Sequence, residues 1–561
     1  MTEYLNFFGD LAISQLADDL DQSTPDPFFI LQQNPDAQLV YLIEAYPYDG
    51  TQENTFKGEP PYGTLPINDY GFKYFGGVAL VCLSDVGFVT KPTDTLANKY
   101  FIGQVNNPFQ FDVSVLSNDE FGNSNQSYGS IVIQNGNGDL DHLADYFWSS
   151  RRVTVKAGAK WFRYHDFATI FDGAIDDFDG DDDQFTLTIK DNRSKTDQQI
   201  VSGIYGGTGG IDGGADIANT YKPLAYGLIK NAEPILVDSV NLIYQIHDGS
   251  ILQVDAVRDR GVALTSGGDV SDIVAATVAP GQFKTQLSGG FIKLGSTPAG
   301  RITMDVQGEN GNGGYVSKTG AIIQRIVTTR LGLYPIEPQY IDLASLNRLD
   351  AVLSGDVGTY INQNMAASDV INDLISGTGA YWTFTRQGLL FAGTVSPPTV
   401  ESSVITIDTI DEQGIKLDRV IKPSWRVTVG YDPAWTVQDE SELAAATTDA
   451  VRSFVSNEYR YLTNEDRSIR GRSQDLIEKV FYTNIADQTK AQELLNRLVE
   501  IYSQPRQVFQ LTIYRGLFKL FIGDQIKLIY NRFNLDAGKV FIISGVSEDA
   551  ETGATVFELW G

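Results

Sequence analysis

Residues 525–561 read QIKLIYNRFNLDAGKVFIISGVSEDAETGATVFELWG. Ile526, Leu528 and Tyr530 fall at every second position, as Phe509, Leu511 and Ile513 do just upstream. A period of two sends successive side chains to opposite faces of an extended chain, so one face of each segment is buried. The segments 508–514, 525–530, 540–546 and 555–559 are therefore read as four strands at the spacing of a sandwich or barrel.

Further upstream, a second region has the same character. After Ser127 comes Tyr-Gly-Ser-Ile-Val-Ile-Gln, then the turn Asn135-Gly-Asn-Gly138, then a short helix expected over 139–148 with Asp139 as its cap. Strands are expected at 153–156, 169–175 and 185–189, the last two joined by the acidic tip 176–184. The two regions echo one another. Val153-Thr-Val precedes Gly173, and Phe185-Thr-Leu follows twelve residues beyond that glycine; Ile526-Lys-Leu precedes Gly545, and Phe557-Glu-Leu again follows twelve beyond. If the echo is a duplication, the chain carries two related barrels.

Between and around these regions the chain is rich in glycine, tyrosine and phenylalanine, as β-rich proteins with frequent turns are. Residues 1–36 form a polar, acidic leader with one helical stretch around 11–20, and the first strand is expected at 39–46. Ile322, Ile323 and Ile326 after Thr319 have helical spacing. So do Val370, Ile371, Leu374 and Ile375, bracketed by Ser368 as cap and Gly377 as stop, and they lead into a hairpin at 380–384 and 389–393. A third helix is expected over 487–502, with Ala491, Leu494, Leu495 and Leu498 on one face. All three stripes are read as core. The fold class that results is mainly β with a few short helices, in several domains.

Charge sets limits on partners. Lys and Arg number 42 against 71 Asp and Glu, a net −29 and a pI near 4.4. Affinity for a phosphate backbone comes largely from Lys and Arg displacing counterions, and no basic run appears, so specific nucleic-acid binding is not expected. A single cysteine, Cys82, excludes an intrachain disulfide and is read as an inert core residue. No apolar run approaches the ~20 residues that span a bilayer, and the start has no signal-peptide pattern, so folding in a reducing cytoplasm is expected.

Motifs that would carry chemistry are incomplete. Asp177-Phe-Asp179-Gly180 and Asn135-Gly-Asn137-Gly138 copy the middle of an EF-hand loop, but Ile175 and Thr186, or Ile133 and Ala144, stand where its acidic ends belong. Both are read as solvated turns and no metal is expected. The glycine cluster from Tyr205 to Asp216 has Asp212 where the third glycine of GxGxxG would be and no following Lys-Ser or Lys-Thr, so it is read as a flexible loop between domains. His142, His165 and His247 are the histidines, and there is no nucleophile elbow or HExxH helix. Tyr46, Tyr48 and Tyr62, near Pro60-Pro61, would suit a sugar or protein surface, with core packing the commoner use. No catalytic residue, cofactor or metal ligand is assigned, and the chain is read as no enzyme.

The residues 135–141, the run from Tyr205 through Lys222-Pro-Leu-Ala-Tyr-Gly-Leu228, Trp425-Arg-Val-Thr-Val-Gly-Tyr-Asp-Pro-Ala-Trp-Thr-Val-Gln438, Gly523-Asp-Gln-Ile-Lys-Leu528 and Phe557-Glu-Leu-Trp-Gly561 resemble, in this order, tail tip and baseplate hub proteins of long-tailed bacteriophages, and also the hubs of gene transfer agents. The resemblance spans about residues 40–561 and none of its motifs is catalytic. It implies a homotrimer on the tail axis with two tube-like β-barrel domains per subunit, so that three subunits imitate a six-fold ring. The corresponding domains are an N-terminal arm 1–38, a first tube-like barrel 39–205, a β-rich domain 206–310, an α+β domain 311–400 and a C-terminal tube-like barrel 401–561. Implied partners are the tail tube or distal tail protein, the tape measure protein, and a tip, plug or fibre protein. DNA would pass only in transit, and the protein would sit at the virion tail tip after assembly in the host cytoplasm. The leader and the loops 52–63 and 205–215 are the expected contacts with neighbouring tail proteins. The alternative is a carbohydrate-directed tail protein, either a receptor binder or a cell-wall hydrolase.

Overall fold

Val40–Ala45 is buried along its whole length because both of its edges are paired. It runs antiparallel to Val81–Ser84 on one side and to Arg152–Gly158 on the other. Ile43 lies opposite Leu83 and Val155, and Ala45 opposite Val81 and Val153, so one face of the sheet is a continuous apolar layer. The computed structural model describes residues 38–49, 78–311, 313–332, 335–399, 405–407, 414–472, 476–513 and 520–561. The helical stretch expected around 11–20 and the loop 52–63 with Tyr62 lie outside them. Strands make up 42% of the structure and helices 17%, which is the mainly β, multidomain class expected from the sequence, and one of the sheets curves into a half-barrel.

Two sheets repeat one strand order. In the first, Val40–Ala45, Arg152–Gly158, Ala168–Gly180, Gln184–Lys190, Ser130–Gln134 and Val105–Asn107 lie side by side. In the second, the sequence across the sheet is Ile405–Ile407, Gln525–Leu528, Lys539–Asp549, Ala554–Trp560, Arg506–Ile513 and Ile415–Ile421. Numbered by chain order within each unit, both run first, fourth, fifth, sixth, third, second. The fifth strand carries a bulge in each, at 175–177 and at 543–545. One pairing differs in sense: the first and fourth strands are antiparallel in the first unit and parallel in the second. Neither path returns to its own first strand among the described residues.

The echo of short motifs therefore falls in equivalent strands, yet not in equivalent register. Gly173 faces Val153 directly, whereas the residue facing Ile526 is Phe541 and Gly545 faces Glu558. The strand order recurs, but the twelve-residue spacing does not mark matching positions.

The two sheets interlock through a hairpin, Gln110–Ser117 and Glu120–Tyr128, which belongs to the first half of the chain. Its strand Gln110–Ser117 pairs antiparallel with the far half of Lys539–Asp549, from Ser114 opposite Gly545 to Gln110 opposite Asp549. A second hairpin, Ala380–Phe384 and Leu390–Thr394, extends the same sheet through Trp382 opposite Asn123. Most buried residues of both halves thus form one core, and a separate core around Ile229, Ile246, Val257, Met304 and Val306 lies between two five-stranded sheets of the middle region.

The helices follow the stripes. Thr319–Thr329 buries Ile322, Ile323 and Ile326, and Gln488–Tyr502 buries Ala491, Leu494, Leu495 and Leu498. Ala367–Ile375 buries Val370, Ile371, Leu374 and Ile375, but Ser368 lies within it and Ala366 precedes it, so the expected cap is displaced by two residues. In place of a helix over 139–148 there is a 3-10 turn, Asp141–Asp145, and Asp139 does not cap it. No side chain caps it; the Asn135 carboxamide holds the chain just before it, its oxygen accepting from the Leu140 N–H at 2.9 Å and its nitrogen donating to Asp141 at 2.8 Å. Four α-helical segments had no reading in the sequence: Arg193–Thr196, Leu343–Val352, Asp449–Val455 and Arg467–Arg472.

Candidate functional site: the junction between the two sheets

The Ala380–Phe384 and Leu390–Thr394 hairpin turns at Thr385-Arg-Gln-Gly388, and the turn is inserted where the two repeated sheets meet. The Arg386 carbonyl accepts from the Asp172 N–H at 3.0 Å, and the Gly388 carbonyl from the Asn192 side chain at 2.9 Å, which ties the turn to the first sheet. The Arg386 guanidinium points the other way. It forks onto both carboxylate oxygens of Glu548 in Lys539–Asp549, with Nη2 to Oε1 at 2.7 Å, and also reaches the Leu520 carbonyl. The side chains of Arg386 and Glu548 are 4% and 2% exposed, so this pair is in the core. The guanidinium also lies over the rings of Phe111 and Phe521.

A buried charge that loses its partner costs far more than an exposed one, so the pair fixes the position of the hairpin turn between the sheets. Two further acids line the junction. Burial pushes Asp524 up to about 6, against the lowering effect of the Phe521 N–H and of Arg386 nearby. Burial likewise pushes Asp191 up to about 6; it accepts from the Arg193 N–H at 3.0 Å and from the Tyr128 hydroxyl at 3.4 Å. Glu548 is also raised by burial, with Arg386 opposing. The arrangement holds two sheets rigid.

The residues singled out in the sequence lie elsewhere and apart. Cys82 is buried on Val81–Ser84, and burial pushes its thiol up to about 11. His247 is buried, its Nδ1 accepts from the Ala225 N–H at 3.0 Å, and burial brings it down to about 3, so it is a neutral structural acceptor. His165 is exposed beside Asp166, and His142 packs against Tyr146. Tyr46 and Tyr48 are half-buried beneath the guanidinium groups of Arg152 and Arg151. Asp177 and Asp179 lie on the strand Ala168–Gly180, opposite Thr188 and Thr186, and the acidic turn itself is only 181–183, closed by Asp181 accepting from the N–H groups of Asp183 and Gln184. Among the described residues no group of three or more His, Cys, Asp or Glu side chains is arranged to hold a metal ion.

The cluster 205–216 is a loop, but a folded one. Tyr205 is fully buried and its hydroxyl donates to Gln245 at 2.8 Å. Asp212 accepts from the Gly206 N–H and from the Thr208 hydroxyl, which holds its carboxyl below the usual range, and Gly207, Gly209, Gly210 and Gly213 supply the positive φ that the tight path needs. The junction residues Arg386, Asp524 and Glu548 were not readable as a site, since each sits in a locally polar stretch that reads as exposed turn.

No family model matches the sequence, and no curated protein does. Among solved structures the chain is similar to the 43 kDa tail protein of prophage MuSo2 from Shewanella oneidensis, at 9% identity and a TM-score of 0.32, over 82% of this chain and 95% of that one. It is similar to prophage tail protein gp18 from Listeria monocytogenes at 8% identity and a TM-score of 0.32, over 85% of this chain and 93% of that one. It is also similar to a chain of the native gene transfer agent virion, at 11% identity and a TM-score of 0.35, over 61% of this chain and 84% of that one.

Proposed function

We propose that the chain is a structural subunit of a bacteriophage tail tip, a hub that assembles as a homotrimer on the tail axis and encloses the passage for DNA. The observation that carries this reading is the repeated six-strand order, with both copies locked together by the Gln110–Ser117 pairing and the Arg386–Glu548 pair. A subunit that offers two similar sheets in fixed relation lets three copies present six similar positions to a hexameric tube, while the true three-fold meets a tip, plug or fibre protein. Three chains carry 3 × −29 = −87, and acidic residues facing the bore would keep a polyanion from adsorbing. The resemblance in motif order set out from the sequence points to the same partners: tail tube or distal tail protein above, tape measure protein within. Mass photometry of the purified protein, with negative-stain class averages, is the test. A trimer with six peripheral densities is expected, and a monomer at all concentrations would end the reading.

A carbohydrate-directed role has one observation in its favour. Arg426–Tyr431 is flanked by Arg460–Glu465 and Glu478–Tyr482, which places Tyr461 and Tyr482 on either side of Gly430 and Glu465 and Glu478 on either side of Arg426. Both tyrosines are about half exposed, which makes an open aromatic face with polar groups at one end. A glycan array and a peptidoglycan zymogram test it: glycan binding lost in Tyr482→Ala, or hydrolysis lost on changing one acid, would favour this role over the structural one.

A further inference from the structure

The strand Ala168–Gly180 of the first repeated sheet has exposed cations in the loop before it and exposed acids at its far end. At the end where Arg152–Gly158 turns into Ala168–Gly180, the loop 159–167 packs against the loop 90–99, with Arg163 donating to the Thr93 hydroxyl at 3.1 Å. Lys160 and Arg163 are exposed there, Lys91 and Lys99 are exposed on the loop 90–99, which leaves the sheet level with Val81 and Val153 and meets the folded-back loop 159–167, and none of the four forms an ion pair among the described residues. The nearby acids are engaged by backbone: Asp94 is buried and accepts from the Lys91 N–H, and Asp166 accepts from the Arg163 N–H. Trp161 stands among these cations 66% exposed.

At the other end of the same strand the signs are reversed. Asp176 is paired with Lys190, but Asp177, Asp179, Asp181, Asp182 and Asp183 are exposed and form no ion pair among the described residues. Phe147, 61% exposed, pairs with Tyr48 and directly precedes Trp148, which stacks on Phe178 of the same strand. Ala168–Gly180 has 13 residues, so at about 3.3 Å each the two ends are about 40 Å apart and cannot meet within one chain.

We infer that these ends are the two halves of one contact between copies of this chain: the cationic loops with Trp161 of one subunit seat on the acidic turn with Phe147 of the next. This rests on the ring reading and names the contact that closes it. The chain as a whole is acidic, which makes the cationic patch an exception that calls for a negative partner, and an equal number of copies supplies that partner in equal amount. Repulsion between two −29 bodies is screened beyond a Debye length of about 8 Å at physiological salt, whereas contact pairs are screened less. The contact is heterologous, different surfaces meeting, which is the kind that generates rings when the rotation closes. An aromatic side chain inside a rim of complementary charge is the common anatomy of such interfaces.

The test is sedimentation velocity at about 0.15 M salt on the full chain and three variants: K160E/R163E, D181K/D182K, and all four substitutions together. Each double variant is expected to weaken assembly about tenfold or more, and the fourfold variant, with both signs exchanged, to restore it. A ring that persists in both double variants overturns the inference and leaves the trimeric hub standing. A wild-type chain that stays monomeric removes both. Loss of binding to a fluorescent DNA duplex in K160E/R163E, with assembly unchanged, assigns the patch to nucleic acid and also overturns the inference. Restoration in the fourfold variant separates lost contact from lost folding.

Discussion

Arg386 is the residue on which the junction turns, and it lies in a Thr-Arg-Gln-Gly turn whose composition alone predicts a solvated loop. Its burial follows from what arrives from elsewhere: Glu548 from the last sheet, Phe111 from the first hairpin, Asp172 from the first sheet. Arg386→Met leaves Glu548 in the core without its cation, and roughly 3–5 kcal/mol of stability should be lost in urea unfolding, partly regained in Arg386→Met with Glu548→Gln. An unchanged midpoint would mean the pair contributes nothing. Asp191 and Asp524 give a second expectation, with a definite sign. Both hold their proton in the folded chain up to about pH 6, whereas unfolded aspartates release it near about 4. Between those values the unfolded state binds fewer protons, so the stability these groups contribute is complete below about pH 4 and is lost as pH rises through 6. Urea midpoints compared at pH 5 and pH 7 should fall with rising pH in the wild type and fall less in Asp191→Asn with Asp524→Asn; equal slopes would contradict the assignment.

Helices were legible where an apolar stripe ran at helical spacing. Gln488–Tyr502 begins after Asp487, whose carboxylate accepts from the Lys490 N–H at 2.9 Å, and its buried face is the stripe of Ala491, Leu494, Leu495 and Leu498. Asp487→Ala should cost about 1 kcal/mol and Asp487→Asn much less, read from chemical denaturation. Ala367–Ile375 ends at Gly377, which has φ +70° and would place a Cβ 2.6 Å from the Tyr482 carbonyl, so Gly377→Ala combines strain with a backbone clash and should cost more than the cap does. A melting temperature within a degree or so of wild type in both variants would show that neither end is needed. Leu343–Val352 escaped the sequence reading for a physical reason: Leu346 and Leu349 are buried, but Leu343 and Val352 at its ends are exposed, so only half of its stripe faces the core. Residues 139–148 read as a helix because Asp139 looks like a cap, whereas no side chain caps the 3-10 turn and Asn135 holds the chain just before it through the Leu140 N–H.

At the scale of the molecule, alternation in residues 508–559 and 153–189 was enough to locate strands, and the echo between them lies in strands that occupy the same places in two sheets. Alternation says which face is buried but not which strand lies alongside, so the six-strand order and the crossing of Gln110–Ser117 onto Lys539–Asp549 were not in it. That crossing separates contact from sequence by more than four hundred residues, and it leads to a last expectation. A chain ending at residue 505 lacks the strand that covers Gln110–Ser117, lacks the carboxylate that neutralises Arg386, and leaves Phe111 without Phe521. Half of an interlocked core is not a smaller core: the apolar face of the hairpin and a buried cation would both be turned toward water. The truncated chain should therefore show no cooperative melt for its first sheet, and limited proteolysis followed by mass spectrometry should cut first within 110–128, whereas the full chain resists there. If the shortened chain melts cooperatively at the wild-type temperature with 110–128 protected, the two repeats are independent modules, and the fixed pairing on which a three-subunit, six-position collar depends is absent.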